Sequence, residues 1–231
     1  MALGLQNERR MSNSRPNAIF SLLSFAALLT GLALSASSAG AEAKAKAGSP
    51  SAYRVDAKQS RFIVETQTSG LTSLFGHDHK IEVGEFTGVA TVSTGALAVS
   101  KLDLSVNPAS LKLVDEPNVG ERQAVEAALR DDVLETAKYP QITFKTKLVG
   151  SERRGDGTYD VRLTGELFLH GVRRTGTVPA RVSLEGETMH AIGLVEIRQT
   201  DFKITPFSFV KGTVAIRDAV ILSFDIVATR G

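Results

Sequence analysis

The chain has 231 residues, 42% hydrophobic and 23% charged, with 27 Lys and Arg against 25 Asp and Glu and no cysteine. This composition suits one large domain or two small ones with a buried core and excludes a disordered chain. The missing cysteine excludes disulfides, a cysteine-linked lipid anchor, thiolate metal sites and cysteine nucleophiles.

The N-terminal stretch reads as a leader. Arg9, Arg10 and Arg15 form a basic region, Ala18 to Leu34 is an almost unbroken apolar run, and Ala39-Gly40-Ala41 offers a small-residue cleavage site. The small residues from Ser35 to Ala41 favour a cleaved signal peptide over residues 1–41 against a retained anchor, which places the mature protein in the periplasm or outside the cell. Its removal takes away three arginines and Glu8, leaving basic and acidic residues equal in number. A domain without net charge gives no electrostatic case for nucleic acid, and no further apolar run is long enough for a stable membrane span. Residues 42–52, rich in Ala, Lys, Gly and Ser, read as a flexible linker. One domain over residues 53–230 follows.

Short stretches of alternating apolar and polar residues then predict strands with two unlike faces. Phe62 and Val64 share a side, then Phe86, Gly88, Ala90 and Val92, then Leu102, Leu104 and Val106. Between Asn118 and Lys138 the period lengthens: Val125, Leu129 and Val133 recur every four residues. That spacing predicts an amphipathic helix of about four turns or a helix pair, stopped at Tyr139-Pro140. Alternation resumes with Ile142, Phe144, Thr146 and Leu148. Gly155-Asp156-Gly157 marks a turn, so residues 141–150 and 158–169 read as a hairpin. His170-Gly171 turns the chain again, and Val178 to Leu184, Thr188 to Gln199 and Arg217 to Ala228 supply three more strands. Thr200 to Val210 reads as a loop or short helical turn. About eight strands and one inserted helix suggest an all-β sandwich or barrel.

Three segments together resemble the YceI-like family of secreted lipid- or polyisoprenoid-binding proteins. Tyr53-Arg54-Val55-Asp56-Ala57-Lys58-Gln59-Ser60-Arg61-Phe62 is similar to that family's opening strand. Leu134 to Phe144, with Lys138-Tyr139-Pro140 at its centre, is similar to its helix end and following strand. Thr164-Gly165-Glu166-Leu167-Phe168-Leu169-His170-Gly171-Val172 is similar to its Gly-Asp-Leu-Thr-Leu-His-Gly-Val hairpin, and Arg198 to Ile204 more weakly resembles a loop of the family. The resemblance implies an extended eight-stranded antiparallel lipocalin-like β-barrel whose lumen takes an amphiphilic isoprenoid lipid. The chain departs from the family at Gln59-Ser60, where His-Ser is usual, and at Arg130 to Leu134, where a histidine is missing.

For an apolar ligand the candidates for lumen or mouth are Phe62, Val64, Phe86, Phe144, Leu163, Leu167, Phe202, Phe207 and Phe209; the plainer alternative is that they are filled core. Gly76-His77-Asp78-His79 suggests a second chemistry. His77 and His79 would supply two imidazoles to a metal, with His170, His190 or a carboxylate as the third ligand. Alternatively Asp78 caps a loop and His170 makes a structural hydrogen bond. No nucleophile elbow, phosphate loop, dinucleotide fingerprint or H-E-x-x-H helix is present, so the expectation is a non-catalytic binder without a required cofactor. A metal- or cofactor-dependent enzyme using His77 and His79, a filled-core structural module and a homodimer stay open as alternatives.

Overall fold

The computed structural model describes residues 49–69, 78–93, 101–209 and 214–231. The chain's first three long strands are each broken in the middle. β1 (Pro50–Val55) and β2 (Arg61–Thr66) are separated by a turn in which the Asp56 carboxylate accepts from the Lys58 amide at 2.9 Å and from the Gln59 side chain at 2.6 Å. β3 (Thr68–Ser69) is a short continuation. β4 (His79–Val83) and β5 (Phe86–Ser93) bend at Gly84, where an added Cβ would lie 2.7 Å from the Ser110 carbonyl oxygen. β6 (Lys101–Val106) and β7 (Leu111–Leu113) flank a tight turn at Pro108–Ser110 whose first amide is capped by Asn107. β1 pairs with β5 from Pro50 onward, so Pro50 to Ala52, expected as linker, belong to the sheet.

The helix is shorter than its periodicity suggests. α1 (Val119–Ala128) is capped by the Asn118 side chain, which accepts from the amides of Gly120 and Glu121. A π-helical turn follows over Leu129–Val133, and Glu135, at φ 43°, ends the element before Tyr139-Pro140. The apolar stripe from Val125 to Leu134 thus crosses a change of helical pitch. No residue of α1 is buried, and the stripe packs against the sheet residues around Phe62 and Leu113.

Four long strands complete the wall before the closing one: β8 (Ile142–Gly155), β9 (Thr158–Leu169), β10 (Val172–Glu185) and β11 (Thr188–Arg198). The two-residue turns Asp156-Gly157 and His170-Gly171 hold both residues at positive φ, the conformation that suits the twist of a tight hairpin. After a short helical turn at Gln199–Phe202 come β12 (Ser208–Phe209), β13 (Val214–Ile216) and β14 (Ala219–Arg230). The segment expected as loop therefore holds part of a small second sheet, ordered β12-β13-β3.

The main sheet closes on itself in the order β1-β5-β6-β8-β9-β10-β11-β14-β1. It is an eight-stranded antiparallel barrel with one short α-helix among the described residues, as the alternation and the resemblance imply. One edge of β14 serves two strands: β1 takes Ala228 to Arg230 and β2 takes Ile221 to Asp225. Between them the Ser60 hydroxyl donates to the Val227 carbonyl at 3.1 Å and accepts from its amide at 2.9 Å, filling one missing rung. Ser60→Ala leaves that rung part-buried and incompletely satisfied, and is expected to cost about 1–2 kcal/mol in the free energy of urea unfolding followed by circular dichroism.

Candidate functional site

Inside the ring lies a cavity of about 740 Å³, walled almost wholly by apolar side chains. Strand alternation builds it: on β9, Val161, Leu163, Leu167 and Leu169 face inward while the residues between them face out. The eight steps from Val161 to Leu169 give a lining of roughly 27 Å along the strand at about 3.4 Å per residue. At its middle, Gly165 makes room for the Phe144 ring, whose Cζ would lie 2.6 Å from an added Cβ. One end is floored by a buried cluster that includes Tyr53, Val92, Val149, Val182 and Met189. The other end is covered by Leu129, Val133 and Leu134 from the helical segment and by Phe202 and Ile204 beyond β11.

Six of the nine proposed lipid contacts line this cavity: Phe62, Val64, Phe144, Leu163, Leu167 and Phe202. Phe86 does not; it is buried in the cluster around Phe62, edge-on to that ring with centroids 4.8 Å apart. Phe207 is 43% exposed and also lies off the cavity. The side chain of Phe209 falls outside the described part. Leu222, Phe224 and Ile226 of β14 line the cavity as well, and their alternation in the sequence carried the same signal as that of Phe62 and Val64.

The histidines separate. His77 lies outside the described residues. His79 pairs with Thr66 in the β2–β4 ladder and points its Nδ1 to Asp115, 3.7 Å away. Asp78 accepts from the Thr68 amide at 2.9 Å, which is a loop cap. His190 faces out and bonds Asp225 at 2.6 Å. His170 is buried: Nδ1 meets the Phe202 carbonyl at 3.2 Å, Nε2 meets the Glu135 carboxylate at 2.9 Å, and the ring lies against Tyr139. It ties the β9–β10 turn to the helix end and to the turn that carries Phe202. Among the described residues no three His, Cys, Asp or Glu side chains are grouped to hold a metal, and no helix is long and apolar enough to cross a membrane.

A closed antiparallel barrel of eight strands around one long apolar cavity is the lipocalin-like class of β-barrel. Within that class, the chain belongs to the YceI-like domain family, whose model matches residues 53–228. Over 104 residues it is 34% identical to protein YceI of Escherichia coli and 33% identical to protein YceI of Shigella boydii, a stretch covering 45% of this chain. The match spans 48% of the length of these relatives. Among solved structures, BcnA of Burkholderia cenocepacia superposes with a TM-score of 0.58 at 20% identity, over 76% of this chain and 99% of its own. A polyisoprenoid binding domain of Saccharophagus degradans, implicated in plant cell wall breakdown, gives 0.55 at 17% identity over 78% and 99%.

The turn that brings Phe202 to the cavity is held by Asp218, whose carboxylate accepts from the Thr200 amide and hydroxyl, each at 2.8 Å. The amide bond first, then the hydroxyl, keeps this carboxyl below its ordinary value of 3.8. A depressed folded value stabilises the fold above the ordinary one and loses that contribution as pH falls through the depressed value. Urea midpoints of the parent are therefore expected to drop below about pH 4, and Asp218→Asn to show a smaller drop between pH 5 and pH 3.

Proposed function

We propose that this chain is an exported, non-catalytic binding protein that holds an amphiphilic isoprenoid-type lipid in the barrel lumen. The observation that carries the proposal is the cavity. It is long, enclosed by apolar side chains from every strand of the ring, and within the several-hundred-Å³ range of small-molecule sites. An extended prenyl chain presents a long, narrow apolar surface with one methyl branch per isoprene unit, and burying each methylene of such a chain is worth about 0.8 kcal/mol. Membership of the YceI-like family and a fold shared with a polyisoprenoid binding domain support the same ligand class. Export rests on the leader read in residues 1–41, which sets the site of action in the periplasm or outside the cell.

Organic extraction of protein purified from its native host is expected to release a prenyl lipid detectable by mass spectrometry. Stripped protein is expected to take up added polyprenol. Leu163→Trp, which fills the lumen from β9, is expected to lower the amount bound by at least half at the same total lipid. Stripped parent protein that takes up no polyprenyl compound, and native protein that yields none, would end the lipid reading.

A further inference from the structure

The wall of the lumen is not sealed along its whole height. β10 and β11 pair only from Arg181 with Ile192 to Glu185 with Thr188, although β10 runs back to Val172 and β11 on to Arg198. Continued in that register, Val178 would face Val195 and Arg174 would face Gln199. Instead every residue from Arg174 to Val178 and every residue from Val195 to Gln199 lines the cavity. An intact sheet shows its lumen only alternate residues. Consecutive lining residues on two facing strands mean that the cavity passes out between them. Consistently, Arg173 to Thr177 are exposed one after another, and an added Cβ on Gly176 would meet nothing within 4 Å.

The chain encodes this parting in Pro179. The Leu184 amide donates to the Gly157 carbonyl on the β9 side at 3.0 Å. Even-numbered residues of β10 therefore turn their backbone groups to β9 and odd-numbered residues turn theirs to β11. The next rung to β11 after Arg181 falls on Pro179, which has no amide hydrogen to give. Gly193 lets β11 pass close by there, since an added Cβ would lie 2.5 Å from the Pro179 carbonyl oxygen. At the far end, Arg174 Nε donates to the Asp201 carbonyl at 3.0 Å. The result is a window of five residues per side, roughly 14 Å along the strand at about 3.4 Å per step, with a backbone contact at its foot and a hydrogen bond across its top. Its rim gathers four polar side chains, Arg174, Thr177, Glu196 and Arg198, whereas the polar lining residues Thr66 and Lys101 sit singly on other strands.

We propose that this window is the doorway of the lumen and the resting place of the ligand's head. The prenyl tail slides sideways between β10 and β11, and an oxygen-bearing head stays at the rim, within reach of the Arg174 guanidinium. The buried cluster at one end of the barrel and the helical segment at the other leave the parted side wall as the route from lumen to surface among the described residues.

The proposal rests on the lumen being a lipid site, and one experiment separates the two ideas. Retinol, a fluorescent isoprenoid alcohol, is transferred from phosphatidylcholine vesicles to stripped full-length protein and followed by stopped flow. Gly176→Leu adds bulk where nothing stands and is expected to slow uptake and release tenfold or more. Pro179→Val restores the missing donor and is expected to act in the same direction. Leu163→Trp is expected to lower the amount bound instead. Uptake and release within twofold of the parent in Gly176→Leu, at equal loading and with a native circular dichroism spectrum, would overturn the doorway while leaving the lumen reading intact. A parent protein that binds neither retinol nor polyprenol would overturn both.

Discussion

Closure of the ring depends on β14, because every other strand of the ring has one partner on each edge along its paired length and β14 has to satisfy two along a single edge. The chain solves this with a break rather than a longer strand. β1 and β2 are offset by the Asp56 to Ser60 turn, whose Asp56 amide donates to the Val227 carbonyl and whose Ser60 hydroxyl accepts from the Val227 amide and adds a second donor to that carbonyl. A barrel edge left unpaired would cost the desolvation of those groups without compensation. The same device recurs beside it, in the Gly84 bend with its Ser110 contacts and in the Asn107-capped turn before β7. Three neighbouring kinked strands curve the wall around the Phe62 cluster and leave β7 without a strand partner on its far side, where α1 lies and Glu126 accepts from the Leu113 amide.

The lumen is shaped by pairs of unequal size. Phe144 lies over Gly165 and Phe224 against Gly193, each ring within contact distance of the Cβ the glycine lacks. Such pairs let large rings lie flat against the wall in place of meeting at the axis, which is how a small barrel keeps its interior open. Replacing either glycine would push a ring into the space that the rest of the lining encloses.

Much of this was legible in the sequence, and for identifiable reasons. Two-residue alternation at Phe62-Val64, Leu102 to Val106 and Val161 to Leu169 depends only on the geometry of a half-buried strand, so it marked both the strands and their inward faces. Turn chemistry at Asp156-Gly157 and His170-Gly171 was equally local. What escaped was non-local. Phe86 alternates just as Phe62 does, but it is packed within the Phe62 cluster and does not reach the cavity. The helix lost its last turns to a π-helical step that no periodicity announces. His170 looked like a turn residue and is one, yet its two bonds reach Glu135 and Phe202, which lie 35 and 32 positions away in the chain. The parting of β10 from β11 was written in Pro179 and Gly193, but only the register shows that the proline nitrogen faces the strand that lacks its partner.

A parted pair of strands also presents two open edges, and open edges recruit strands from other molecules. Pro179 withholds one donor from an intruding chain as surely as it does from β11. The charges of Arg173, Arg174, Glu196 and Arg198 would have to lose water for a foreign strand to dock. A single residue thus gives the wall its gap and defends that gap against cross-β aggregation. Substitutions that restore regular strand character there carry an association hazard even where they leave the barrel more stable.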